Sequence, residues 1–148
     1  MGLTRVWRLV GFAILALVFL AGCRSTTANV TTTAVVAGNA VTGAAVFVDA
    51  RFACTSCHTF EGISDGNTGP ILTTIGADVA VRLTDGSYPG AATDVVSYLR
   101  EAITDPRAFV APACPAGPCF DRVMPNNFGE LLSPEELADL VAFLAAQG

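Results

Sequence analysis

The sequence predicts an all-α domain over residues 40–148, and three observations carry that prediction. Apolar residues recur at helical spacing in three separate stretches. The last stretch opens on a full set of helix-start signals, and each of the other two has a cap or a stop at one end. Asn39 caps a first helix predicted to run to about Phe52, with Val41, Ala44, Ala45, Val48 and Phe52 on one face. A second, from about Thr93 to Thr104, spaces Val95, Val96, Leu99, Ala102 and Ile103 helically and stops at Asp105-Pro106. Between them, Val81 to Gly86 predicts a small turn or hairpin around Asp85-Gly86. In the last helix Ser133 is the N-cap, Pro134 is N1 and Glu136 at N3 completes a capping box, with Leu132 and Leu137 placed as a hydrophobic staple. Leu137, Leu140, Val141 and Leu144 then follow the i, i+3, i+4, i+7 pattern. No internal repeat is visible.

The residues before this domain read as an address and a leash. Arg5 and Arg8 form a positive start, followed by an apolar run from Leu9 to Leu20. That run falls short of the roughly 20 apolar residues that span a bilayer, so a removed signal is expected over residues 1–22 rather than an uncleaved anchor. It ends in Leu20-Ala21-Gly22-Cys23. This resembles the lipobox of bacterial lipoproteins, which implies cleavage before Cys23 and a lipid on its thiol; the alternative is an ordinary secretory signal that happens to close on a cysteine. Either implies export into an oxidising compartment. From Arg24 to Asn39 there is no aromatic residue and no further charge. Such a segment buries too little apolar surface to offset its ordering entropy. As a flexible coil it spans roughly 20–25 Å. Its Val and Thr content also suits a strand, but no partner strand is evident. Residues 23–39 are thus expected to tether the domain to lipid.

Composition narrows the class. The chain has 148 residues, 52% of them hydrophobic, and a formal charge of −5. It contains no lysine, and two of its eight arginines lie in the address segment. The domain is therefore more acidic than the total suggests, which excludes nucleic acid as a partner and any polybasic membrane patch.

The chemistry lies at Cys54-Thr55-Ser56-Cys57-His58. Two cysteines three apart point to one side, so each thiol can add to one vinyl group of the same porphyrin, and the histidine that follows is placed beneath the iron. A thioredoxin-like pair would need a strand–helix context that is absent here. Zinc needs four ligands, and His58 is the only histidine in the chain. Cys114 and Cys119 would supply sulfur, but their spacing beside prolines fits zinc poorly. The pentapeptide therefore reads as the attachment site of one haem c. For the sixth ligand, Met1 is lost with the signal, and Met124 is the one thioether left. A lone methionine is often core filling. This one precedes Pro125 between a long loop and the last helix, where a loop can fold across the distal face. Histidine and methionine together fill both axial positions, raise the reduction potential and leave no site for a small-molecule substrate.

Over nearly everything after the leash the sequence resembles the class I cytochromes c. Gly43 and Phe47 precede the pentapeptide, Gly69-Pro70 follows it, and Met124-Pro125 and a last helix bearing Phe143 complete the pattern. The resemblance implies that the first and last helices cross, with Gly43 allowing close approach, and that loops surround one covalent haem. It also implies that the Pro70 carbonyl accepts a hydrogen bond from Nδ1 of His58. More narrowly, Leu83-Thr84-Asp85-Gly86, Tyr98-Leu99-Arg100-Glu101, Asp105-Pro106 and Met124-Pro125 look like the cytochrome domain fused to subunit II of some haem–copper oxidases, and equally like small cytochrome subunits of other respiratory complexes. With one histidine no dinuclear copper centre can be built, so the likeness is to the cytochrome module alone. The implied function is single-electron transfer on the outer face of the cytoplasmic membrane or in the periplasm. The implied partners are redox proteins, either a terminal oxidase or a quinol-oxidising complex.

Outside the common pattern lies Cys114-Pro115-Ala116-Gly117-Pro118-Cys119. In an exported domain two such cysteines most simply form a disulfide, worth about 2 kcal/mol in the chain-entropy model and stiffening the loop before Met124. The alternative is a redox-switchable disulfide that controls methionine ligation. A second haem there is excluded, because no histidine follows Cys119. Two other functions compete with electron transfer. A peroxidase needs an open iron position and distal acid–base groups, and a gas sensor needs a labile Met124.

Overall fold

The structure, a computed structural model, describes residues 37–148. The apolar run Leu9–Leu20, Cys23 and the leash as far as residue 36 lie outside the described residues. Among the described residues no helix is long and apolar enough to cross a membrane.

The domain is built from α1 (Ala40–Val48), α2 (Cys54–Cys57), the strands β1 (Thr59–Phe60) and β2 (Ser64–Asp65), α3 (Ile75–Asp85), α4 (Val95–Thr104), α5 (Phe128–Leu131) and α6 (Pro134–Ala145). It is all-α apart from one antiparallel two-residue pair, in which Thr59 faces Asp65 and Phe60 faces Ser64.

α6 begins as its signals predict. Ser133 accepts from the Glu136 amide at 3.1 Å and Glu136 accepts from the Ser133 amide at 2.9 Å. Leu137, Leu140, Val141 and Leu144 are all buried. α1 starts at the predicted cap, where Asn39 accepts from the Val41 amide at 2.9 Å. It ends at Val48, earlier than Phe52. The Asp49 carboxylate takes the Arg51 amide at 2.8 Å and turns the chain away from helix. The inner face also differs from the predicted one. Gly43, Val46 and Phe47 are buried, while Val41 is 83% and Val48 52% exposed. All nine residues of α1 are uncharged. Polarity therefore could not choose a face, and close packing does. α1 lies so near α6 that a Cβ on Gly43 would collide with the Asp139 carbonyl. The rings of Phe47 and Phe143 are 5.8 Å apart across the crossing, and Phe60 joins them at 5.4 and 5.3 Å.

The predicted hairpin at Val81–Gly86 is instead the end of α3. Ile75 and Val79 are buried, Leu83 packs partly against the core one turn on, and Gly86 closes the helix in the left-handed region at φ 73°. An Asp-Gly pair serves a helix end as readily as a hairpin, and here the helical register on its N-terminal side decides. α4 starts two residues later than predicted, at a capping box of Asp94 and Ser97. It buries Tyr98, Leu99 and Ile103 and leaves Val96 48% exposed. From Asp105 to Asn127 the chain has no helix or strand.

Candidate functional site

α2 is a single helical turn, entered through Ala53 in the left-handed region at φ 54°. One turn places Cys54 and Cys57 on the same side. His58 follows in extended conformation, its amide donating to the Cys54 carbonyl at 3.0 Å.

The next fourteen residues fold back to hold the histidine ring. Ser64 Oγ donates to the His58 carbonyl at 2.8 Å, and the Gly69 amide donates to the Cys57 carbonyl at 2.7 Å. The Leu72 amide donates to the Thr59 carbonyl at 2.9 Å. These bonds bring the Pro70 carbonyl to 2.9 Å from His58 Nδ1. A carbonyl only accepts, so Nδ1 carries the proton and Nε2 keeps its lone pair. Burial pushes the His58 pKa down, against the Pro70 bond, and favours the neutral imidazole that a metal requires. Burial likewise pushes the Cys54 thiol up, with the neighbouring Cys57 adding to the shift.

Cys54, Cys57, His58, Pro70, Met124, Cys114 and Cys119 all line one cavity of about 550 Å³. That volume is in the range of cofactor sites. These seven candidates come from two distant parts of the sequence, and the fold brings them together; Cys23 lies outside the described residues. The structure pairs Cys114 with Cys119 in a disulfide, with Cα atoms 5.1 Å apart. Cys54 and Cys57 are free thiols.

The cavity suits the group that the pentapeptide implies. Its walls are mainly apolar, with Phe47, Leu99, Ile103, Leu140 and Leu144 from three helices and loops on the remaining sides. Arg82, Arg107 and Arg122 also line it, against one carboxylate, Asp78. That is three of the five described arginines and one of thirteen acids. In so acidic a domain this imbalance matches the two carboxylates of a porphyrin. Arg82 donates to the buried Tyr98 hydroxyl at 2.7 Å and lies 5.0 Å over the Phe109 ring. Sequence reading missed these residues. Their only signal was the clustering of aromatic and arginine residues in α4 and the loop after it, with Arg82 apart from them in α3, and nothing local says that these face the same space as Cys54.

None of the curated proteins compared with the chain is similar enough to count as a relative. The family model described as Cytochrome c, by contrast, matches residues 40–147, from the first turn of α1 to the end of the last helix. A match over that share of the chain, onto a helical domain whose cavity collects the pentapeptide, shows that the chain belongs to the cytochrome c family, as an electron-transfer protein with a covalently bound c-type haem.

Proposed function

We propose that the protein is a single-electron carrier of a membrane respiratory chain, with thioether links at Cys54 and Cys57 and iron held between His58 and Met124. The observation that carries this reading is the shared cavity, which His58 and Met124 both line although 65 residues separate them in sequence. Haem c supplies a one-electron couple at its iron. The chain does the rest. Pro70 holds the proton on His58 Nδ1 and so fixes the ring and leaves Nε2 to ligate. Met124 would offer the iron a neutral, soft thioether, which favours the reduced state. Apolar walls exclude water and limit the reorganisation that accompanies a change of charge. Arg82, Arg107 and Arg122 would offset the charge of the propionates. Peroxidase or gas-binding chemistry would require Met124 to leave.

The respiratory setting rests on the address segment and on the narrower likeness to oxidase-linked cytochrome modules. Lipid at Cys23 would hold the domain at the outer face of the cytoplasmic membrane or within the periplasm, within reach of a terminal oxidase or a quinol-oxidising complex.

The test is spectroscopic. Wild-type protein made with a cytochrome c maturation system should retain haem on a denaturing gel, and Cys57→Ser should lose most of it. Oxidised wild type should show the weak near-infrared band of sulfur-ligated iron. Met124→Ala should lose that band, bind carbon monoxide when reduced, and fall in potential. A variant spectrum identical to wild type would reduce Met124 to packing.

A further inference from the structure

Met124 sits near the end of the longest irregular segment in the domain, Asp105 to Asn127. Structureless loops beyond about 12–15 residues are uncommon and need a reason to stay ordered. From Phe109 to Asn126 the backbone makes three hydrogen bonds among the described residues, two of them within the segment. All three lie at the disulfide. The Cys114 amide donates to the Gly117 carbonyl at 2.8 Å, and the Gly117 amide returns to the Cys114 carbonyl at 3.0 Å. The third leaves the segment: the Ala116 amide donates to the Asn67 carbonyl at 3.1 Å. Asn67 belongs to the loop that orients His58, two residues before Gly69.

We propose that the Cys114–Cys119 disulfide and its bond to Asn67 form a clasp that positions Met124. The clasp joins the segment bearing Met124 to the loop bearing Pro70, so both axial ligands are held by one connected piece of backbone. Neither cysteine touches iron; they act through Met124 as positioning residues. This rests on the reading of Met124 as the sixth ligand and goes beyond it. Without the clasp the segment has no backbone tie to the described domain over eighteen residues, and beyond Phe109, which packs on Tyr88 and Tyr98, Met124 ligation must then order most of that stretch.

The experiment compares full-length holoprotein with the Cys114→Ser/Cys119→Ser variant. The near-infrared band of oxidised wild type tests Met124 ligation first, and its absence there defeats that reading rather than the clasp. With the band present in wild type, the variant should keep its haem on denaturing gels, lose most of the band, fall in potential, and bind carbon monoxide roughly tenfold faster or more when reduced, the scale set by loop-closure entropy. Ser133→Ala, which loosens α6 away from the clasp, should leave carbon monoxide binding unchanged. Should the double variant fail to mature, wild-type holoprotein serves. A phosphine cleaves the disulfide to two thiols and becomes the phosphine oxide, taking its oxygen from water. The thiols are then either capped singly with iodoacetamide or rebridged through one carbon with diiodomethane. Capped protein should resemble the variant, and rebridged protein should regain the wild-type band and slow carbon monoxide binding. Capped or variant protein with wild-type ligation, or a rebridged form that stays open, would overturn the clasp.

Discussion

A methyl group on Gly69 would stand 2.6 Å from Cε1 and 2.7 Å from Nδ1 of His58. No side chain fits there without moving the ring, and the ring cannot move without loosening its bond to Pro70. Gly69→Ala should therefore cost about 1–3 kcal/mol of holoprotein stability, the usual range for forcing bulk into a packed site. It should also raise the reduction potential, because an imidazole that donates less to the iron stabilises the oxidised state less. Thermal unfolding and a redox titration of the same preparation measure both, and an unmoved potential would show that the ring tolerates the shift. At this scale the sequence is legible where a residue is unique or a motif is contiguous. His58 and Met124 stand out because each is the one residue of its type after residue 22. Arg82 and Tyr98 do not, since their role depends on helices meeting in space.

Helices repeat the lesson with different physics. α6 was readable because its capping box, proline and staple are written in adjacent residues. α1 was readable as a helix but not as a face, because valine and alanine surround it and only the close approach at Gly43 selects the buried side. The same crossing is tied at its edge by Arg51, whose guanidinium lies 2.8 Å from Asp49 and 2.7 Å from Glu136. Arg51 is the main cause of the lowered Asp49 carboxyl, while Glu136 is lowered first by the Ser133 amide and then by Arg51. Both carboxyls are depressed on folding, so their stabilisation is complete above the ordinary carboxylate range, about pH 4–5, and is lost as pH falls through the depressed values. Both are solvent-exposed, so each effect is small. Glu136→Gln should lower the melting temperature slightly at neutral pH and flatten its acid limb, with the two curves converging at the lowest pH. Parallel curves through the acid range would mean that Glu136 titrates alike in folded and unfolded chains.

At the scale of the molecule, charge bears on how the protein would meet a partner. After Cys23 the chain holds six arginines and thirteen acids, a formal charge of about −7. Three of those arginines line the haem cavity, and Phe120 stands 72% exposed at its edge. With the propionates offsetting those arginines, the cavity mouth would present a partner with an apolar, near-neutral patch on an acidic molecule. The whole field would then repel an acidic partner at long range, the more so at low salt. A partner with a basic surface would resolve this by attraction. A lipid on Cys23 would resolve it by confinement, since a short leash would hold the domain at a high effective concentration and make strong attraction unnecessary. The leash favours the second. Electron transfer from the anchored protein to its membrane partner should change little across a salt series, and Cys23→Ser should release the cytochrome from membranes with its spectrum intact. The released form should need a much higher concentration to reach the same rate. A steep fall in rate with added salt in both forms would instead identify a basic partner surface as the source of affinity.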